Sequence, residues 1–380
     1  MERSRVRKQA LRGVFMLFFA LTRAPFLPGM DPITLSPQTS MKLDLDFRAY
    51  GLNDQRIYWS GLEFSFGVEA NVDVSITRRY RRGSLTVEAE LFLNQPFGKN
   101  ILQDEFRRDY QANFQVEPLH LSRLNLRFAS GQFSVAIGKG VTPFGRFHFS
   151  SPSNDLDFAA PFIRSEAILW RETGIFLHWA NRFLEVDVAA VNGGDERDTN
   201  SGKAGIFRVG LHGKAWAVGA SHKIHDVTGS EWQKQYNGHT GLDFNWQAGC
   251  FRFSAEWIWD RYGFHRPFDS NEIFWPRSLY YRDIFLAEKT PVKGRGWYGD
   301  IRYRKGSLSI ALNYGEYYPQ KIGNPLHDLL IRRIILRLAV LPAPQLRFYF
   351  TGLLENDRER EPWSEGAKPF AFLAGMEFSL

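Results

Sequence analysis

The chain has 380 residues, 44% of them hydrophobic, and a slightly negative mean hydropathy; that is too polar for a bundle of membrane-spanning helices, but it suits a long all-β domain in which only alternate strand residues meet lipid. The formal charge of +7 is no sign of a nucleic-acid binder, because Arg3, Arg5, Arg7, Lys8, Arg12 and Arg23 lie at the N-terminus against Glu2 alone and the remainder is close to balanced. A single cysteine, Cys250, excludes an intramolecular disulfide and a cysteine-built metal site.

Residues 1–24 read as an export signal. Met1–Arg12 is basic, Gly13–Leu21 is a short apolar run, and small residues and prolines follow at Ala24, Pro25 and Pro28. The run is too short for a helix to cross a bilayer, which takes about 20 apolar residues. No comparable run follows, so a β-barrel domain is expected over 41–380.

From there the hydropathy period is two. Leu43, Leu45, Phe47 and Ala49 alternate with Lys42, Asp44, Asp46 and Arg48. In Glu63–Ile76 every even position from Phe64 to Ile76 is apolar, and the odd positions are polar or glycine. Only a strand places residues i and i+2 on one face. The pattern continues at 85–93, 124–128, 133–137, 175–179, 184–190, 207–211, 216–220, 242–246, 251–259, 297–303, 308–314, 334–340, 346–350 and 372–380. The total is about sixteen strands.

The connections alternate in length. Short turns are expected near 78–83, 130–131, 180–182, 213, 248–249, 305–306 and 342–344. Long loops are expected at 51–62, 94–118, 140–167, 192–203, 226–235, 261–295, 315–329 and 355–369. Short periplasmic turns alternating with long external loops define a transmembrane antiparallel up-and-down β-barrel in an outer membrane. Aromatics of outward parity agree: Trp179, Trp216, Trp246 and Tyr303 adjoin short turns, while Trp259, Trp297 and Tyr314 adjoin long loops. These are two interfacial girdles. The row Phe372, Ala374, Met376, Phe378 and Leu380 resembles the terminal strand by which bacterial barrels engage the barrel-assembly machinery, with leucine in place of the usual final aromatic.

Several segments resemble the phosphate-selective porin O and porin P family. Gly131–Phe144 (GQFSVAIGKGVTPF) with Gly145 is similar to a strand and T-P-F-G turn of that family. Glu172–Leu177 (ETGIFL), Ala189–Gly194 (AAVNGG), Asp198–Lys203 (DTNSGK) and Gly296–Asp300 (GWYGD) follow in its order. The resemblance covers roughly residues 131–318 and implies a porin barrel passing small hydrophilic solutes or ions, with a homotrimer as its usual assembly. Lysine is scarce in the strands and arginine dominates, so the family's lysine ladder, and with it phosphate selectivity, does not carry over.

Inward parity assembles two sets of charges. An acidic wall is expected from Asp44, Asp46, Glu63, Glu69, Asp73, Glu88 and Glu90. A basic wall is expected from Arg123, Arg127, Arg208, Arg252, Arg302, Arg304, Arg333, Arg337 and Arg347. Opposed walls would orient ionic solutes; solvated ion pairs in an ordinary polar lumen are the plainer alternative. The third long loop is expected to fold inward as a constriction carrying Phe144, Arg146, His148, Asp155, Asp157 and Arg164, with an outer lid as the alternative.

Asp195, Glu196, Asp198 and Asn200 could offer oxygen ligands to calcium, but their spacing is not that of an EF-hand. His222 and His225 fall on opposite strand faces. No metal, cofactor or catalytic set is therefore expected, and the chain is not read as an enzyme. The expected partners are membrane lipid and small hydrophilic, anionic solutes, with no nucleic acid. Export of an acidic polymer, a non-conducting structural barrel and a membrane hydrolase remain as competing functions.

Overall fold

The computed structural model describes residues 33–54, 64–97, 119–145, 171–192, 202–226, 236–262, 292–319, 331–357 and 370–379. The expected export signal 1–24, Glu63 and the acidic loop residues 195–200 lie outside them. Among the described residues there are strands and no helices. In chain order they are β1 (Ile33–Ser36), β2 (Thr39–Asp54), β3 (Phe64–Tyr80), β4 (Gly83–Phe97), β5 (Leu119–Ser130), β6 (Phe133–Val141), β7 (Arg171–Ala180), β8 (Leu184–Val191) and β9 (Ala204–His212). Then come β10 (Trp216–Asp226), β11 (Tyr236–Ala248), β12 (Phe251–Tyr262), β13 (Val292–Lys305), β14 (Leu308–Pro319), β15 (Ile331–Ala343), β16 (Leu346–Asp357) and β17 (Phe370–Ser379).

Each strand from β2 to β16 pairs antiparallel with the next, and β17 pairs back onto β2 from Ala371↔Asp54 to Ser379↔Asp46. The sheet therefore closes into a sixteen-stranded up-and-down barrel, with β1 a short strap on β2. Closure leaves none of the sixteen strands as a free edge.

The register carries the alternation around the wall. Leu43↔Val74, Leu45↔Val72 and Phe47↔Ala70 share the outer face, while Asp44↔Asp73 and Arg48↔Glu69 share the inner one. The exterior is apolar and exposed: Ile137, Leu126, Leu242 and Leu312 are among many such side chains. This inverts the arrangement of a soluble barrel and matches a wall that faces hydrocarbon. Aromatics border the band. Trp216 stands beside Trp246, and Phe251 meets Tyr303 at 5.0 Å, next to the short turns. Trp257 stacks on Trp297 at 5.6 Å, and Trp297 meets Tyr314 edge-on at 5.4 Å, toward the long loops. A charge inside that band is expensive, so Leu242→Arg should destabilise the barrel by about 2–4 kcal/mol in equilibrium urea unfolding from lipid vesicles.

Two local features depart from the sequence pattern. β5, centred on the expected 124–128, begins at Leu119, where the expected loop 94–118 ends, but its alternation slips on the way. A β-bulge accounts for the slip: Glu90 pairs with Arg123 and Leu91 with Leu121, leaving Ser122 as the extra residue. Leu121 and Leu124 then both face outward although they are three apart, which breaks the period of two. Second, several strands run past their expected ends. β2 continues to Asp54, β4 to Phe97 and β14 to Pro319, and β13 starts at Val292. There the hydrogen-bond ladder continues beyond the strictly alternating apolar rows, and the hydropathy pattern fades before the strand does.

Candidate functional site

The lumen is where chemistry concentrates, and its most constrained point lies just after β6. Thr142, Pro143, Phe144 and Gly145 leave the strand and turn across the interior toward β10–β12. Thr142 Oγ1 donates to Glu172 Oε2 at 3.1 Å. The same carboxylate receives Lys223 Nζ of β10 at 2.8 Å, and both charged side chains are buried. The amide of Gly145 donates to Ser221 Oγ of β10 at 3.0 Å.

Phe144 is 1% exposed. Its ring occupies the space that a side chain at Gly241 on β11 would need: a Cβ there would stand 2.7 Å from Phe144 Cε1. A Cβ at Gly145 would come closer still to Glu256 of β12, and Gly145 has a φ of +64°, which favours glycine. Two glycines thus give the segment its niche, one on the wall and one on the segment itself. The residues 146–167 that follow include Arg146, His148, Asp155, Asp157 and Arg164, and these expected constriction residues lie outside the described part.

The charged lining is organised by neighbouring strands. Arg48 reaches Glu69 and Glu377, each at 3.5 Å, and Arg347 of β16 closes on the same Glu377. Arg123 bonds Asp73 and lies 3.9 Å from Glu88, which Arg127 approaches at 3.3 Å. Glu90 accepts from Asn71 Nδ2 at 3.1 Å, and Asp44 binds Lys42 at 2.5 Å. Asp46 shares this inner face. Three expected basic-wall residues, Arg123, Arg127 and Arg347, therefore stand among the acids. On this side the two walls interleave instead of opposing one another, because cross-strand neighbours are the closest counter-ions available.

Elsewhere the arginines have local partners. Arg208 is buried and held by Glu185 at 2.5 Å and Asp243 at 3.0 Å, its guanidinium lying where a Cβ on Gly219 would sit. Arg302 binds Asp300 at 2.6 Å, Arg252 donates to Asn245 Oδ1 at 3.2 Å, and Arg337 donates to Thr351 Oγ1 at 3.2 Å. Arg333 is 1% exposed, and Arg304 is exposed. Arg252, Arg302 and Arg304 lie on β12 and β13, eight strands round from β4 and β5.

Several lumen residues were assigned to neither charged wall from the sequence: Arg48, Glu172, Lys223, Asp243 and Glu256. So did an inward apolar strip formed by Tyr50, Ile335, Tyr349, Leu353, Ala371 and Leu373, all buried. His222 points outward, with Nδ1 2.9 Å from Thr240 Oγ1, whereas His225 has the opposite parity.

The two ends of the barrel differ in charge. The last two residues of each of β2–β17 at the short-turn end include Arg79, Arg252, Arg304, Lys305 and Arg347, against Glu185. The turns add Arg81, Arg82, Arg182 and Lys214 and no carboxylate. At the long-loop end the corresponding positions hold Arg171, Arg261, Lys293 and Arg332 against Asp54, Glu172, Asp226 and Asp357, an even balance.

No family profile and no curated relative matches the sequence. Solved structures do match in shape. OmpF of Salmonella typhi, solved in complex with daunomycin, superposes with a TM-score of 0.63 at 10% identity, over 92% of this chain and 100% of that one. In-vitro folded OmpT, an outer membrane protein of Vibrio cholerae, gives 0.61 at 9% identity over 92% and 100%. An anion-selective porin from Comamonas acidovorans gives 0.59 at 9% identity over 90% and 100%. At such identities the likeness is one of fold. Together with the apolar exterior, the paired aromatic girdles and the charged interior, it makes this chain an outer-membrane β-barrel of porin architecture.

Proposed function

We propose that this barrel is a passive, non-enzymatic channel for small hydrophilic solutes with a leaning toward anions. The observation that carries the reading is the Thr142–Gly145 segment, which runs inward and is fastened to β10 and β11, four and five strands round the wall from β6, by the Gly145 amide on Ser221 and by Phe144 in the Gly241 niche. A segment held there narrows a wide barrel without closing it, and barrels of 16–18 strands leave room for an aqueous path. The arginines at Arg252, Arg302 and Arg304 and the resemblance to the phosphate-selective porin family support the anionic leaning. Phosphate itself is not assigned, since the strands lack that family's lysine ladder.

A membrane hydrolase would need a serine bonded to a histidine that a carboxylate orients. His178 Nδ1 meets Asp187 Oδ1 at 2.6 Å, and Ser134 stands opposite His178 across the strand pair, but no hydrogen bond joins that serine to the ring. A homotrimer is the assembly proposed, in keeping with the trimer form described for OmpT of Vibrio cholerae, a neighbour with a TM-score of 0.58 at 10% identity over 90% of this chain and 100% of that one. A second reading, a structural barrel with an occluded lumen, draws on the inward apolar strip around Leu373.

Single-channel recording of the refolded protein in planar bilayers under a salt gradient separates the two. Stable steps of one size, with a reversal potential on the anion side, are the expected result. Barrels that insert yet carry no current in any salt would overturn the channel and leave the occluded barrel.

A further inference from the structure

We infer that the short-turn mouth is a capture collar for small multivalent anions, distinct from the constriction inside. The part of this inference that concerns current rests on the channel reading above; the part that concerns binding does not.

The argument starts from the charge asymmetry of the two ends. The described strand ends of one mouth are balanced, while the other mouth carries cations in or beside most of its turns and a single strand-terminal carboxylate, Glu185, which is already bound to Arg208. The cations are spread around the ring, from Arg79 and Arg82 at the β3–β4 turn to Lys214 at β9–β10 and Arg304 at β13–β14. All four are exposed. By strand parity Arg79 and Arg304 face the lumen, with Arg252 beside Arg304.

Spacing makes these charges act together. Successive short turns are two strands apart, about 10 Å at the usual strand separation. The screening length is about 30 Å in 0.01 M salt and shrinks to about 8 Å at physiological salt. In dilute salt the potentials of neighbouring turns therefore overlap into one positive rim, and a cleft lined by one sign of charge concentrates the opposite ion. An anion with several charges can touch two or three of these side chains at once, so it gains more than chloride does. At the other end the described strand-terminal charges are of both signs in equal number.

Lipid phosphate is the other source of the same chemistry. Arg78 lies over the Tyr80 ring at 5.6 Å and Arg182 over the Phe183 ring at 4.9 Å, and an arginine backed by an interfacial aromatic suits a headgroup. The lumen-facing and turn-tip cations are the ones assigned to free anions.

The test compares the full barrel with a variant carrying Arg79→Glu, Arg82→Glu, Lys214→Glu and Arg304→Glu. First, binding of fluorescent pyrenetetrasulfonate is measured by anisotropy in non-ionic detergent at low salt, with and without added anionic phospholipid. The collar predicts binding to the wild type, a loss of tenfold or more in the variant, and the same loss without lipid. Equal binding by the two proteins overturns it. Binding abolished in both by anionic phospholipid would assign the cations to headgroups and also overturn it. Second, bilayers with barrels inserted in one orientation should show a rectifying current in dilute salt that flattens in concentrated salt and in the variant. If neither protein conducts, the channel reading fails while the anisotropy result still decides the collar.

Discussion

A Gly241→Leu barrel should pass more current per channel than the wild type. The wall at Gly241 has no room for a side chain, because its first carbon would already stand 2.7 Å from the Phe144 ring. The leucine takes the niche and the phenylalanine leaves it. Phe144 then loses burial of the kind worth about 1.5–3 kcal/mol for a large apolar side chain. The Gly145 amide is drawn off Ser221 in the same movement, so the segment loses both of its fastenings on the far wall. The unitary conductance step reports the result. Gly299→Leu is the matching control: a Cβ at Gly299 meets Phe253 at an ordinary 3.9 Å, on the lipid-facing side of the wall. A Gly241→Leu barrel that inserts normally and gives wild-type steps would separate Phe144 from any control of the pore.

Lys223→Met should be the most damaging single change to stability. It leaves Glu172, whose side chain is fully buried, with the Thr142 hydroxyl and no counter-ion. Removing one partner of a buried ion pair typically costs about 3–5 kcal/mol, because the remaining charge cannot be rehydrated. Urea unfolding from vesicles measures the loss. The double variant Lys223→Met with Glu172→Leu should recover much of it, since neither charge is then stranded. If the double variant is as unstable as the single one, the cost lies in packing and the pair contributes little.

The wall was legible in the sequence because lipid imposes a strict rule on it. Outward positions inside the hydrocarbon band are apolar, and the row from Phe64 to Ile76 displays the rule without a gap. The bulge at Ser122 was not legible. A phase slip looks the same as the start of a loop until Glu90 and Leu91 on the partner strand are known. The charged lumen was legible as a set of residues but not as a set of pairs. Arg48 and Glu377 are 329 residues apart, and they meet only because the last strand returns to the first. The Lys223–Glu172 pair likewise joins β10 to β7, two strands that share no ladder. Parity gives the side of the wall a residue faces; it gives neither height nor neighbour. The apolar strip around Leu373 was missed for a related reason: leucine and alanine on the inner face of β15–β17 cannot be told from lipid-facing residues by composition alone.

The seam where β17 meets β2 governs how the molecule can form. Its ladder joins Ser379 to Asp46 and Ala371 to Asp54. These are among the longest loop closures the chain makes, and pairings of such separation are slow because their entropy is lost before any contact rewards it. Every other strand pair can zip from a neighbouring hairpin; this one has no local nucleus. Until it closes, the sheet is an open ribbon whose two terminal edges can recruit strands from other chains. Assembly of this protein is therefore limited by the encounter of its two ends, and a chain delayed at that step is exposed to aggregation for as long as the delay lasts.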